Sequence, residues 1–395
     1  MQDQSLLSFA ERDRRYKLVR EAMKDHGLDV LLVFGDGSKW EWLMANVHYL
    51  SGGVGGNGEE AFMVFPLDGE PTVILWGHGS EFAQGWVEYG SWITEWRNRT
   101  AGSFAKAAVT RLKELNLTKA TIGLPGVLET DAIQVPLSIY NTLREDLPEA
   151  VLKGASGLIE DIRMVKSPEE IALMKRAQQI GDATMNVMAE VIRPGVPYRE
   201  VGAAAYKTMI SHGCDVSLQF IMHVGMSRGR MTFIQDRPFK KGDIVLVEFS
   251  PRVHGYCGHL NKAFLVGDWP DEQSEKVYQA ALASYRSGCA ALKPGITVRE
   301  LSKAFSAPVL AAGFHPRTIH CHGTGLGSET GIGCFANSVE PQASRVIQEG
   351  MTMGVEPGAR SLDDRYAINM GDLVQVTRDG ARPLTDRKLE IVICH

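Results

Sequence analysis

The sequence predicts two domains: an α/β domain over residues 1–160, and an α+β domain over residues 161–395 whose two halves repeat one another. Three observations lead there. The chain has 395 residues, more than one hydrophobic core usually organises. Strand-like apolar runs alternate with helical patterns through its first part. Residues 192–201 (IRPGVPYREV) match residues 292–301 (LKPGITVREL), with Pro194/Pro294, Gly195/Gly295, Arg199/Arg299 and Glu200/Glu300 each 100 positions apart.

In chain order, residues 10–26 carry Leu18, Val19, Ala22 and Met23 at helical spacing and stop at Gly27, so they read as an amphipathic helix. LDVLLVFG reads as a buried strand, followed by AFMVFP, PTVILWG and KATIGLPG, with a helix near 103–115. Six of the seven tryptophans lie in this domain, at 40, 42, 76, 86, 92 and 96, as core aromatics or as the lining of a ligand site or dimer contact. The second domain opens on a long helix. Ser167 is its N-cap, Pro168 takes the first helical position, and Glu170 completes a capping box. Later, GDIVLVE and GMTMGVE each place a glutamate six residues after a glycine in an apolar strand, at Glu248 and Glu356. A pseudo-symmetric pair of repeats brings these two face to face.

Composition excludes several functions. With 44% hydrophobic and 23% charged residues the chain builds real cores, and a net charge of −5 without a basic block argues against nucleic acid. No apolar run reaches the length of a membrane span, and the first residues lack a signal-peptide pattern. Six cysteines without a C-x-x-C motif make no disulfide framework. A cytoplasmic protein acting on a small molecule is the expectation.

A glutamate inside a buried strand must be paired, bound to a metal or protonated. Two related ones serve as metal ligands or as an acid/base or nucleophile pair. The returning strand after Glu248 puts His259 and Asn261 on one face, and TIHCHGTGLG brings His320 and His322 next to Gly323, Gly325 and Gly327. No strand–GxGxxG–helix context surrounds these glycines, so they do not read as a dinucleotide site.

The order KSPEEIALMKRA, GDIVLVEF…GYCGHLNKAFLVG, HGTGLG, GMTMGVEPGA and DLVQVTRDG resembles the catalytic domain of the pita-bread-fold family, which contains methionine aminopeptidase, aminopeptidase P, prolidase and creatinase. The preceding domain resembles the N-terminal domain of the aminopeptidase P, prolidase and creatinase branch. The resemblance implies a pita-bread second domain. It also implies, for the metallopeptidases, two ions held by two Asp, one His and two Glu, at positions read here as Glu248, His259, Leu326, Glu356 and Gly371. Leu326 and Gly371 offer no ligating side chain, so no metal and no cofactor is expected, with a single ion on Glu248, His259 and Glu356 as the alternative. The family's metal-free creatinase has a catalytic histidine whose position falls at Met231, and ectoine hydrolase, another metal-independent relative, has a nucleophilic glutamate at the place of Glu248.

The resulting expectation is a metal-independent hydrolase of a C–N bond in a small polar metabolite: a cyclic amidine, amide or guanidino compound. Glu248 attacks or orients water, Glu356 shuttles the proton and His259 assists. His322 and the Gly323–Gly327 backbone hold the substrate, together with His320, Arg228, Arg230, Trp40 and Tyr49. The alternatives are a metal-dependent Xaa-Pro-type peptidase with a remodelled site, and a non-catalytic relative acting in binding or assembly. The aromatics around Tyr49 and the loop SGGVGGNGEE suit a cross-subunit contact, so a homodimer is expected.

Overall fold

A computed structural model describes residues 7–37, 42–53, 60–76, 85–128, 134–215, 219–224 and 237–395. The chain divides into two compact units, Met1–Arg163 and Met164–His395.

In the first unit Ser8 caps helix α1 (Phe9–Asp25), its side chain accepting from the Glu11 N–H at 3.1 Å. A short helix α2 (Ala45–Ser51), α3 (Phe104–Glu114), α4 (Leu137–Asp146) and α5 (Leu158–Met164) accompany a six-stranded sheet. Its strands are β1 (Val30–Asp36), β2 (Glu60–Pro66), β3 (Thr72–Leu75), β4 (Glu95–Asn98), β5 (Thr121–Leu124) and β6 (Val151–Gly154), in the order β4-β3-β2-β1-β5-β6. Pairings β1–β2 and β2–β3 are antiparallel and the others parallel, so the sheet is mixed. One apolar core joins it to α3 and α4 through Phe34, Phe62, Phe104, Leu112 and Leu143.

The second unit opens with α6 (Pro168–Val191), where both arms of the expected capping box form: Glu170 N–H to Ser167 Oγ at 3.2 Å and Ser167 N–H to Glu170 Oε2 at 2.8 Å. The other helices are α7 (Tyr198–Ser211), α8 (Glu272–Ala291) and α9 (Val298–Ala311). The strands are β7 (Gln219–Val224), β8 (Ile244–Ser250), β9 (Arg252–Val253), β10 (Tyr256–Cys257), β11 (Leu260–Val266), β12 (His315–Pro316), β13 (Ile319–Gly325) and β14 (Gly327–Phe335). They continue with β15 (Thr352–Val355), β16 (Gly358–Arg360), β17 (Ala367–Asn369), β18 (Gly371–Thr377), β19 (Gly380–Pro383) and β20 (Val392–Cys394).

The main sheet runs β14-β13-β15-β18-β11-β8-β7, with β19 on β18 and β20 on β11. The repeat is visible in its hydrogen bonds. Gly195 N–H donates to Phe239 O and Tyr198 N–H to Arg237 O, while Gly295 N–H donates to Ile347 O and Val298 N–H to Arg345 O. Gly195 and Gly295 share φ values of 90° and 91°, a left-handed turn that glycine adopts without strain. The glutamate-bearing strands do not themselves pair, as a direct face-to-face meeting of Glu248 and Glu356 would suggest: β11 and β18 pair at the centre, and β8 and β15 flank them. Antiparallel register then puts Glu248, Asn261 and Gly371 in line across three strands, on one face.

Candidate active site

Glu248, on β8, and Glu356, just past the end of β15, reach over the central strand pair and are joined there. Asn261 Nδ2 donates to Oε2 of both, at 3.3 Å to Glu248 and 3.0 Å to Glu356. Asn261 in turn accepts at Oδ1 from Asn369 Nδ2. Arg317, in the short connection between β12 and β13, donates from Nη1 to Glu356 Oε2 at 2.7 Å, and its Nη2 lies 3.6 Å from Glu248 Oε2. Burial, followed by the charge of Glu356, pushes the Glu248 carboxyl above its ordinary range, with Arg317 and two histidines opposing.

His259 enters from the segment before β11. Gln178 of α6 accepts its backbone N–H at 3.1 Å, and Gly354 of β15 leaves room for its ring: a Cβ at 354 would stand 2.8 Å from His259 Cδ2. The imidazole is 3% exposed, and neither ring nitrogen has a hydrogen-bond partner among the described residues. Burial, then the neighbouring His322, pulls it down to about 3, so it is neutral at ordinary pH. His322, on β13, stands edge-on to it with ring centroids 5.2 Å apart. Nδ1 of His322 lies 2.8 Å from Gly323 O, a carbonyl that can only accept, so Nδ1 carries a proton, and Nε2 faces Glu356 Oε1 at 3.7 Å. Ligand atoms of His259, His322 and Glu356 all lie within 4.8 Å of one another.

Four expected residues, Glu248, His259, His322 and Glu356, therefore come together. The others fall elsewhere. His320 Nε2 lies 3.0 Å from Ser306 Oγ, and its ring stacks on Phe305 of α9 at 5.3 Å. Tyr49 is fully buried in the core of the first unit, beneath the Arg15 guanidinium at 4.3 Å. Gly323 and Gly325 do not open onto a substrate: a Cβ at either would strike Glu329, with Met164 beside the first and Lys166 beside the second. These glycines make room for the buried Lys166–Glu329 pair, whose closest atoms are 3.9 Å apart. Trp40, Arg228, Arg230 and Met231 lie outside the described residues.

Leu326 is not a ligand position. It is buried, with its N–H on Glu329 Oε1, and the histidine beside Glu356 is His322. Arg317 was not legible because it precedes the strand in which alternation could have placed it. His223, on β7, likewise carries no local signal in the sequence; its Nδ1 is buried without a partner among the described residues, and burial, then Arg317, lowers it to about 4.

Residues 172–378 match the model of metallopeptidase family M24, and residues 15–165 match the Creatinase/Prolidase N-terminal domain. The chain belongs to metallopeptidase family M24. Among curated relatives, the uncharacterized peptidase YqhT of Bacillus subtilis is 26% identical over 256 residues, 64% of this chain and 71% of that protein. The Xaa-Pro dipeptidase of Pyrococcus furiosus is 25% identical over 278 residues, 69% of this chain and 75% of that one. The solved prolidase of Pyrococcus horikoshii OT3 superposes with a TM-score of 0.77 at 20% identity, over 96% of this chain and all of that one, which confirms the two-domain pita-bread fold.

Family and relatives overturn the expectation of a metal-independent hydrolase of a non-peptide C–N bond, whose premise that Leu326 stood in a ligand position also fails. The residues fit one of the family's two ions and not the other. Two imidazoles and a carboxylate, one imidazole unpartnered among the described residues, suit a single divalent ion with an open position. The second ion has no place for its ligand at 371, because a Cβ there would lie 1.5 Å from Val355 O.

Proposed function

We propose that this chain is a metal-dependent Xaa-Pro-type peptidase that works with one divalent ion held by His259, His322 and Glu356. The observation that carries the reading is His259, a buried imidazole with both nitrogens unpartnered among the described residues, set against His322 and Glu356. An apolar-buried ring with no acceptor or donor is a standing desolvation penalty unless something binds it. The substrate class comes from relatives named Xaa-Pro dipeptidases.

When bound, the ion supplies Lewis-acid polarisation of a carbonyl and an acidified water. The chain's own residues do the rest. Glu248, raised in pKa and only partly buried, takes a proton from attacking water and returns it to the leaving amine. Nδ1–H of His322, tied to Gly323 O, holds that ring in one tautomer, and Asn261 keeps both carboxylates in place.

The test is hydrolysis of Ala-Pro and Leu-Pro against Ala-Leu after loading the chelated protein with Mn²⁺, Co²⁺ or Zn²⁺. Release of proline that stops with chelator and returns with metal is expected. Metal-loaded protein that cleaves none of the three, or activity indifferent to chelator, contradicts the reading.

A further inference from the structure

The two oxygens of Glu356 have different neighbours. Oε1 faces His322 Nε2 at 3.7 Å, whereas Oε2 accepts from Arg317 Nη1 at 2.7 Å and from Asn261 Nδ2 at 3.0 Å. Arg317 is anchored for this task. Its backbone N–H donates to Gly358 O at 2.9 Å, and Nη1 also donates to the main-chain oxygen of Glu356 at 2.8 Å. Nη2 then lies 3.6 Å from Glu248 Oε2, so one guanidinium spans both carboxylates. Here one oxygen of Glu356 faces the histidine pair and the other is held by a permanent organic cation, which proteins do not deprotonate.

A second observation is independent of Arg317. Gly371 lies opposite Asn261 in the β11–β18 pair, where the family resemblance sets a further glutamate, and its Cα is pressed so closely on Val355 that no side chain fits. The ligand of a second ion is thus missing, and a second positive charge is present without it.

We propose that Arg317 is a positioning residue that replaces the second metal ion: its guanidinium neutralises the Glu248–Glu356 pair, turns Glu356 Oε1 toward the histidines, and limits the centre to one divalent ion. The proposal rests on the one-ion reading above. It also predicts that a lysine, a point charge without the planar fork, keeps the stoichiometry while placing Glu356 less well.

Elemental analysis and calorimetric titration with Co²⁺ of chelated wild type, Arg317→Lys, Arg317→Gln and Arg317→Ser decide the matter, with the Co²⁺ visible spectrum reporting coordination and circular dichroism reporting fold. Wild type and Arg317→Lys should take up one equivalent. Either uncharged variant that remains folded should take up a second equivalent, or bind the first at least about tenfold more tightly, with a changed spectrum. Two equivalents in the wild type overturn the proposal, as do folded uncharged variants whose stoichiometry and affinity equal or fall below those of the wild type. A wild type that binds no Co²⁺ refutes the one-ion reading instead. In that event an uncharged variant that gains an ion still supports charge replacement, and one that gains none overturns it.

Discussion

His259 is more informative than any other single side chain in this protein, because its burial has no internal compensation. A neutral imidazole kept from water without a partner costs on the order of 1–3 kcal/mol. Replacement by an apolar side chain of similar reach should therefore cost little in the metal-free protein. We predict that His259→Leu, measured by urea unfolding in chelator, lies within about 1 kcal/mol of wild type or above it, and that added Mn²⁺ stabilises the wild type but not the variant. A loss of more than about 2 kcal/mol in chelator would show that the ring has a structural role instead. Glu248 and Glu356 were legible at this scale, since a carboxylate in an apolar strand stands out. Arg317 was not: a surface-type residue after a proline carries no local sign of the carboxylates it spans.

At the scale of elements, strand β15 shapes the site through what it lacks. Gly354 admits the His259 ring, and the close approach of Val355 to Gly371 of β18 removes a ligand position. Gly371→Ala must push β15 from β18. We expect it to destabilise the second unit by about 3 kcal/mol in urea unfolding; a change within about 0.5 kcal/mol would mean that the strands separate readily. The glycine-rich HGTGLG segment makes the complementary point. Its glycines looked like a substrate cradle, yet the space they leave is taken by Glu329 and Lys166 from the same unit. A glycine shows where something comes close, not what it is.

Over the whole molecule, the buried Lys262–Asp372 pair, 2.5 Å apart in the central strands, links stability to pH. Burial, partly offset by Lys262, pushes Asp372 up to about 6, above its unfolded value of about 3.9. Between these values the native state holds the proton more tightly, so this group's contribution to stability falls as pH rises through the window and then levels off. Relative to wild type, Lys262→Met/Asp372→Leu should gain on the order of 2 kcal/mol between about pH 4 and about pH 7 in thermal or urea unfolding; a difference independent of pH refutes the assignment. No helix among the described residues is long and apolar enough to cross a membrane. The sequence by itself determined the two-domain layout, the capped helix at Ser167, the internal repeat and the strands bearing Glu248 and Glu356. Those features follow from periodicity, caps and alternation, which act over a few residues. Only the tertiary structure decided that His322 rather than Leu326 faces Glu356, that Arg317 joins the two glutamates, and that Gly371 admits no side chain. These depend on strand register and on backbone contacts between segments far apart in the chain, and a local pattern holds no record of either.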